Sequence, residues 1–207
     1  MVRCFLAAFS LFCCSILPAQ TIHWTVQPRY EKVSALNDEI FRVVQNGKVG
    51  LRKADGEIML QPAADSISPF TEGKALVLFR RGASLLLSLV VHEDGRQFQT
   101  PAMYVARDGF YSEDRLPVYD SRGQYGFLDE QGTMAVHCNY MSVRPFSEGL
   151  SAVVKKKSGK NRVCFVDKAG VEKQLDKDFA KADFLTSFSN GEAVVGVEGA
   201  QYIINKY

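Results

Sequence analysis

The chain has 207 residues, with 25 Lys and Arg against 23 Asp and Glu for a formal net charge of +2, and it is 46% hydrophobic. That is enough chain to bury a sizeable core without metals or disulfide staples. Its charge is too near neutral for a dedicated nucleic-acid binder, which carries a strongly basic stripe, so no nucleic-acid partner is expected.

The N-terminus has the grammar of a secretory signal peptide over residues 1–19. Arg3 is a short positive region, Cys4 to Leu17 form an uncharged apolar run, and Pro18 with the small Ala19 ends it. This is too short for a membrane span and no stop-transfer pattern follows. Cleavage near Ala19 leaves a mature chain from about Gln20, and the expected location is the periplasm, the cell surface or the medium. Lipid anchoring through Cys14 is the alternative. Leu11 stands three residues before it, but Cys13 fills the place where lipidation wants a small residue. No later stretch is apolar enough to span a bilayer, so no transmembrane segment is expected after the signal. Cys4, Cys13 and Cys14 leave with the signal. Cys138 and Cys164 then form one bridge or, the favoured reading, remain two buried apolar thiols on separate strands.

From there the chain repeats itself. Glycines close "LRKADG" at Gly56, "VVHEDG" at Gly95, "FLDEQG" at Gly132 and "FVDKAG" at Gly170, about 38 residues apart. A constant period of this size means a repeat fold. Each copy opens on an apolar anchor (Leu36, Phe70, Tyr111, Phe146, Phe188) and has a Val seven residues later (Val43, Val77, Val118, Val153, Val195). Between them the better copies read Ser/Thr-Glu/Asn-Gly, a tight turn in which Gly73, Gly149 and Gly191 take positive φ. Alternating residues such as Leu150, Ala152 and Val154 follow as a half-buried strand. A short apolar strand then runs into a turn whose first residue, Asp129 or Asp167, bonds its own backbone, and whose last is Gly. "EIMLQP" and "TMAVHC" alternate as the hairpin's second strand. "KQLDKDFAKADFL" (173–185) has the composition of an amphipathic helix, but it fills the slot of "MAVHCNYMSVRPF" one copy earlier, with Phe179 matching Tyr140. It is read as repeat-equivalent, with a short helix as the alternative.

These residues resemble the WG (KWG) β-repeat family of bacterial proteins: Phe-x-x-Gly-x-Ala-x-Val, an aromatic-Gly pair, a hydrophobic pair and Asp-x-x-Gly. The likeness runs over about residues 25–207 and is clearest at Phe146–Gly170 and at Tyr125–Gly132, which contains the pair Tyr125-Gly126. The namesake Trp-Gly slot is otherwise Val49-Gly50, Ser88-Leu89 and Val163-Cys164, and the sole Trp, Trp24, lies outside it. The resemblance implies an all-β repeat domain, often exported, with no assigned catalytic residue and no cofactor. The expected fold is therefore all-β, five tandem antiparallel units over residues 20–207. Half a unit at each end favours a propeller-like ring, with an open β-repeat array as the alternative.

Few residues carry chemistry. His92 takes a turn position that is Asp in two other copies, and His137 alternates within a strand. With His23 they make no metal-ligand spacing, so no metal site is expected. Nucleophile elbows and phosphate loops are absent. The charge run "KKKSGKNR" supplies a candidate anion-binding loop, Lys155, Lys156, Lys157, Lys160 and Arg162, whose bland reading is a solvated hairpin loop. Tyr104, Phe110, Tyr111, Tyr119 and Tyr125 crowd the middle copies; most are expected in the core, with one or two lining a glycan or peptide groove. The function these features suggest is a non-catalytic binding or scaffolding module with a protein or glycan partner at the cell envelope. A hydrolase on the same scaffold is the alternative, and it lacks the paired carboxylates at one repeat position that would support it.

Overall fold

The structure, a computed structural model, describes residues 30–106, 109–176, 179 and 181–206. The signal segment, His23 and Trp24 lie outside the described residues. Among those described the chain is all-β, with eighteen strands and no α-helix. Every strand pairing is antiparallel, in four sheets. The first holds β1 (Lys32–Ala35), β2 (Ile40–Gln45), β3 (Lys48–Lys53) and β4 (Ile58–Ala64). The second runs from β5 (Ser66–Ile67) through β6 (Lys74–Arg81), β7 (Ser84–His92), β8 (Gln97–Val105), β9 (Leu116–Tyr119) and β10 (Tyr125–Leu128) to β11 (Met134–Tyr140). The third holds β12 (Ser142–Val143), β13 (Leu150–Lys157), β14 (Lys160–Asp167) and β15 (Glu172–Lys173); the fourth holds β16 (Ala182–Leu185), β17 (Glu192–Val197) and β18 (Ala200–Asn205).

The repeated residues do what their spacing requires. All five recurring valines are at most 1% exposed. Gly56, Gly95, Gly132 and Gly170 all have positive φ, between 72° and 96°. The Ser/Thr-Glu/Asn-Gly turns hold two successive left-handed residues, Glu72-Gly73, Glu148-Gly149 and Asn190-Gly191, closed by bridges such as Ser147 to Leu150. Asp129 Oδ1 accepts the backbone N–H groups of Gln131 and Thr133, and Asp167 Oδ1 those of Ala169 and Val171. Where that slot is Lys53 or His92, an Asp two residues on takes over: Asp55 accepts from Glu57 N and Asp94 from Arg96 N.

The aromatic-Gly slot has a packing cause. On β4, β8 and β11 three residues stand against one on the neighbouring strand, so each carries a bulge, at residues 61–63, 100–102 and 137–139. Pro62 and Pro101 fall in these bulges, where no ladder donor is needed. On β4 and β11 the bulge presses its backbone on the facing residue, whereas the β8 bulge faces Ser88, where the pairing with β6 shifts register as well. A Cβ on Gly126 would lie 2.3 Å from Val136 O, and one on Gly50 would lie 2.6 Å from Leu60 O. In the third sheet β15 pairs only with Phe165 and Val166, so no bulged strand lies on that side of Cys164 and the slot accepts a side chain.

The core is divided among junctions. One buried cluster joins the first sheet to β5–β7 (Ile40, Leu51 and Met59 with Ile67, Val77 and Val91), and another lies within the second sheet (Leu76, Leu87 and Val90 with Tyr111, Leu116 and Leu128). A third joins the second sheet to the third (Phe127, Val136 and Tyr140 with Phe146, Val153 and Cys164) and a fourth the third to the fourth (Ala152 and Phe165 with Leu185, Phe188 and Val195). Each repeat therefore buries its two faces against different neighbours, as stacked repeats must.

Three expectations are amended. Four sheets appear where five separate units were expected, because β8 pairs with β7 through Gln97–Met103 and with β9 through Tyr104 and Val105, fusing two units. β1 pairs only with β2 and β18 only with β17, and among the described residues the sheets form no closed barrel or propeller. The favoured reading of the two cysteines agrees with the structure: Cys138 and Cys164 are free thiols, buried in different clusters. Over 173–185, expected to repeat the strand of the copy before, only Lys173 at the end of β15 and Ala182–Leu185 in β16 are strand; residues 174–176 and 181 are irregular or turn, and Phe179 packs beside Tyr202 in the last junction core.

Candidate functional site

The cross-strand register brings four tyrosines into one row. Tyr104 on β8 stands opposite Tyr119 on β9, Tyr119 opposite Tyr125 on β10, and Tyr125 opposite Tyr140 on β11. The Tyr104 and Tyr119 rings stack with centroids 5.1 Å apart and planes 19° apart; Tyr119 and Tyr125 follow at 5.3 Å and 41°. The corresponding row of the first sheet reads Lys32, Val44, Val49 and Ala64, and that of β5–β8 reads Ser66, Leu78, Leu87 and Met103. In the third sheet it is Ser142, Val154 and Val163. In these three rows the two middle slots are aliphatic, where the tyrosine row has Tyr119 and Tyr125.

Tyr140 is buried, while Tyr104, Tyr119 and Tyr125 are half-buried. The row lies on the face that the second sheet turns to the third, since Tyr125, Phe127 and Tyr140 share a cluster with Val153 and Cys164. Where the two sheets part, a cleft of about 250 Å³ opens between Ala106, Pro117 and Tyr125 on one side and Ser142 to Pro145 on the other. Burial, with Glu172 and Cys164 nearby, pushes the Tyr140 hydroxyl up to about 12. That hydroxyl donates to Glu172 Oε1 over 3.4 Å, and Glu172 Oε2 pairs with Lys155.

The basic segment is a hairpin, not a loop. β13 and β14 pair out to Lys157 and Lys160 around the two-residue turn Ser158-Gly159, both with positive φ. Its five cations do not act as one group. Lys155 is withdrawn into the pair with Glu172, and Lys156, opposite Asn161, faces the other side. Lys157, Lys160 and Arg162 share the face of Val153 and Cys164, which is turned toward the tyrosine row.

The remaining candidates are structural. Phe146 and Phe188 are buried anchors, Phe70 is partly buried, and Tyr111 is 2% exposed with its hydroxyl donating to Asp129 O. Phe110 is exposed at 45%. His92 Nε2 lies 2.7 Å from Glu130 O, and His137 is exposed on the β11 bulge. Burial pushes both thiols up to about 11, which keeps them protonated and unreactive. Among the described residues no group of three His, Cys, Asp or Glu could hold a metal, and no helix is long and apolar enough to cross a membrane.

Two features escaped the sequence. Tyr140 joins the row only because the bulge before it resets its register. The turn glutamates also reach forward along the chain: Glu72 accepts from the Glu113 and Asp114 N–H groups, Glu113 from Gly149 N, and Glu148 from Gly191 N. The recurrence of Glu before Gly was the available signal for this ladder.

A comparison with curated proteins finds no match. Residues 23–48, 53–80 and 125–160 match the family model of the WG containing repeat. The third segment begins at Tyr125-Gly126, the slot where the bulge forbids a side chain, so the likeness to the WG containing repeat and the packing that explains it meet at the same residues.

Proposed function

We propose that the chain is an exported, non-catalytic binding module: five WG-type units in open succession, with the tyrosine row as its contact surface. The observation that carries this reading is the row itself. Packing is satisfied by valine and leucine at the Tyr119 and Tyr125 slots of three sister rows, so phenols at these two positions answer to something other than the fold. A stack of junction cores supplies a rigid platform, and the partner is a protein or glycan met outside the cytoplasm. Export rests on residues 1–19, and the mature chain begins near Gln20.

The test is a pull-down with mature protein from an envelope extract of its own cell, scoring glycans and proteins alike. Retention of a partner that is lost in the Tyr119→Leu/Tyr125→Val double variant supports the module; retention of nothing by the wild type refutes it. Intact-mass measurement of natively expressed protein checks export. A mass starting near Gln20 is expected, a lipidated Cys14 would make it an anchored lipoprotein, and Met1 on soluble protein would refute export.

A further inference from the structure

We propose that the cleft between the second and third sheets binds an acidic polysaccharide, its hydroxyls along the tyrosine row and its anionic groups on Lys157 and Lys160. This rests on the binding-module reading and adds the class of ligand. The row offers hydroxyls rather than ring faces. Tyr119 is flanked by the Tyr104 ring on one side and the tilted Tyr125 ring on the other, so the middle ring has no open face, and the phenol groups of all three bond to no other described residue. A nucleobase needs an open aromatic face to stack on, whereas a hydroxyl-rich chain needs a line of donors and acceptors. From Tyr104 to Tyr125 the row covers two strand spacings, about 10 Å, longer than one sugar ring, so the ligand is a polymer.

The charge comes from the facing sheet. Lys157 stands opposite Lys160 and Lys155 opposite Arg162. Like charges directly opposite destabilise a ladder, and only the Lys155 end is relieved by an acid of its own sheet, Glu172. Lys157 and Lys160 form no ion pair with a described residue. Asp120, the acid of the β9–β10 turn, is already engaged by Arg122 and by the backbone of residues 122 and 124. Height matters too. Beyond Tyr119 and Tyr125 the β9–β10 hairpin closes at once through Asp120 and Gly123, while β13–β14 continues for three more residue pairs past Val154 and Val163. The two lysines thus stand at the far end of the longer hairpin, on the face it turns to the row, and the link from Tyr140 through Glu172 to Lys155 ties the base of that hairpin to the row.

Mature protein is tested against heparin and polygalacturonate, with neutral dextran and duplex DNA as controls. The expected result is salt-sensitive binding to the two acidic polysaccharides, none to dextran and far weaker binding to DNA. Lys157→Gln/Lys160→Gln and Tyr119→Leu/Tyr125→Val, the latter taking residues that sister rows carry, should each weaken binding about tenfold or more with unaltered melting. Absence of wild-type binding to both polysaccharides overturns the proposal. So does full binding by either variant, or DNA binding as tight as that of the glycans. A pull-down that returns a protein while both polysaccharides fail would defeat this inference and leave the module reading standing.

Discussion

Replacing Gly126 by alanine adds one methyl group, and the structure says where it goes. The new Cβ would lie 2.3 Å from Val136 O and 2.9 Å from both Cys138 N and His137 C. All three are backbone atoms of the β11 bulge, so no side-chain rotation relieves the clash; the strand has to retreat by about 1 Å to reach ordinary contact. That retreat disturbs the pairing of Tyr125 with Tyr140 and of Phe127 with Val136, both next to a buried core. Overpacking of this kind costs about 3 kcal/mol, or a fall in Tm of about 6–12 °C for a domain of this size. Two controls separate the cause. Gly149 has φ +80° and open space around its missing Cβ, so Gly149→Ala pays only left-handed strain, about 1–2 kcal/mol. Cys164 stands in the namesake slot with no bulged strand on its β15 side, so Cys164→Ala loses a buried sulfur for about 1 kcal/mol. Urea denaturation followed by circular dichroism measures all three. Gly126→Ala unfolding within about 0.5 kcal/mol of wild type, or proving milder than Gly149→Ala, would refute the bulge as the reason for the glycine.

Gly132→Val should be more damaging than Gly170→Val: both have positive φ, but a Cβ at 132 meets Thr100 Cγ2 at 2.6 Å while one at 170 meets nothing nearer than 3.8 Å. Equal melting temperatures would refute that ranking. Glu72→Ala removes two bonds from a carboxylate to backbone N–H groups and should cost about 2 kcal/mol, against about 1 kcal/mol for Glu148→Ala, which serves Gly191 alone; equal urea midpoints for these variants and the wild type would remove the ladder. Asp65 is held below the usual carboxylate range by the Arg80 N–H and by Lys48, and Asp114 by Lys74. The stability they contribute is present above the unfolded value of about 3.9 and is lost as pH falls through their lower folded values. Urea midpoints should therefore drop below about pH 4, less steeply in Asp65→Asn/Asp114→Asn; midpoints unchanged between pH 7 and pH 3 would refute the linkage.

The period was legible because valine burial and turn geometry are local demands, written into each copy by Val153 or Gly170 with no reference to neighbours. The identity of a site is different in kind. Tyr119 and Tyr125 face each other because a turn of set length joins their strands, and that pairing is within reach of the sequence. Tyr104 joins them only because β8 fails to break, and Tyr140 only because a bulge shifts its register; neither event has a residue signature of its own. The basic run was visible as composition, but which lysines share a face depends on Ser158 and Gly159 forming a two-residue turn. A loop there, as the charge run suggested, would have scattered them. The ring expected from half-units at either end concerned edges, and edges pair according to distances that no local pattern encodes.

The unbroken β8 has a further consequence for how the molecule comes apart. Elsewhere a repeat can peel from its neighbour by giving up one junction core, leaving its own ladder intact. At β8 one strand belongs to two ladders, hydrogen-bonded to β7 along most of its length and to β9 at its end. Separating the two units it joins means breaking backbone pairing as well as apolar contact, so β5 to β11 should open as one cooperative block while the flanking sheets fray sooner. Amide hydrogens on β8 and β9 would then exchange at a single slow rate, later than those of β1 or β18. The tyrosines are thus mounted on the part of the array that yields last. A surface meant to hold its spacing against a stiff polymer is best placed there, away from ends that breathe.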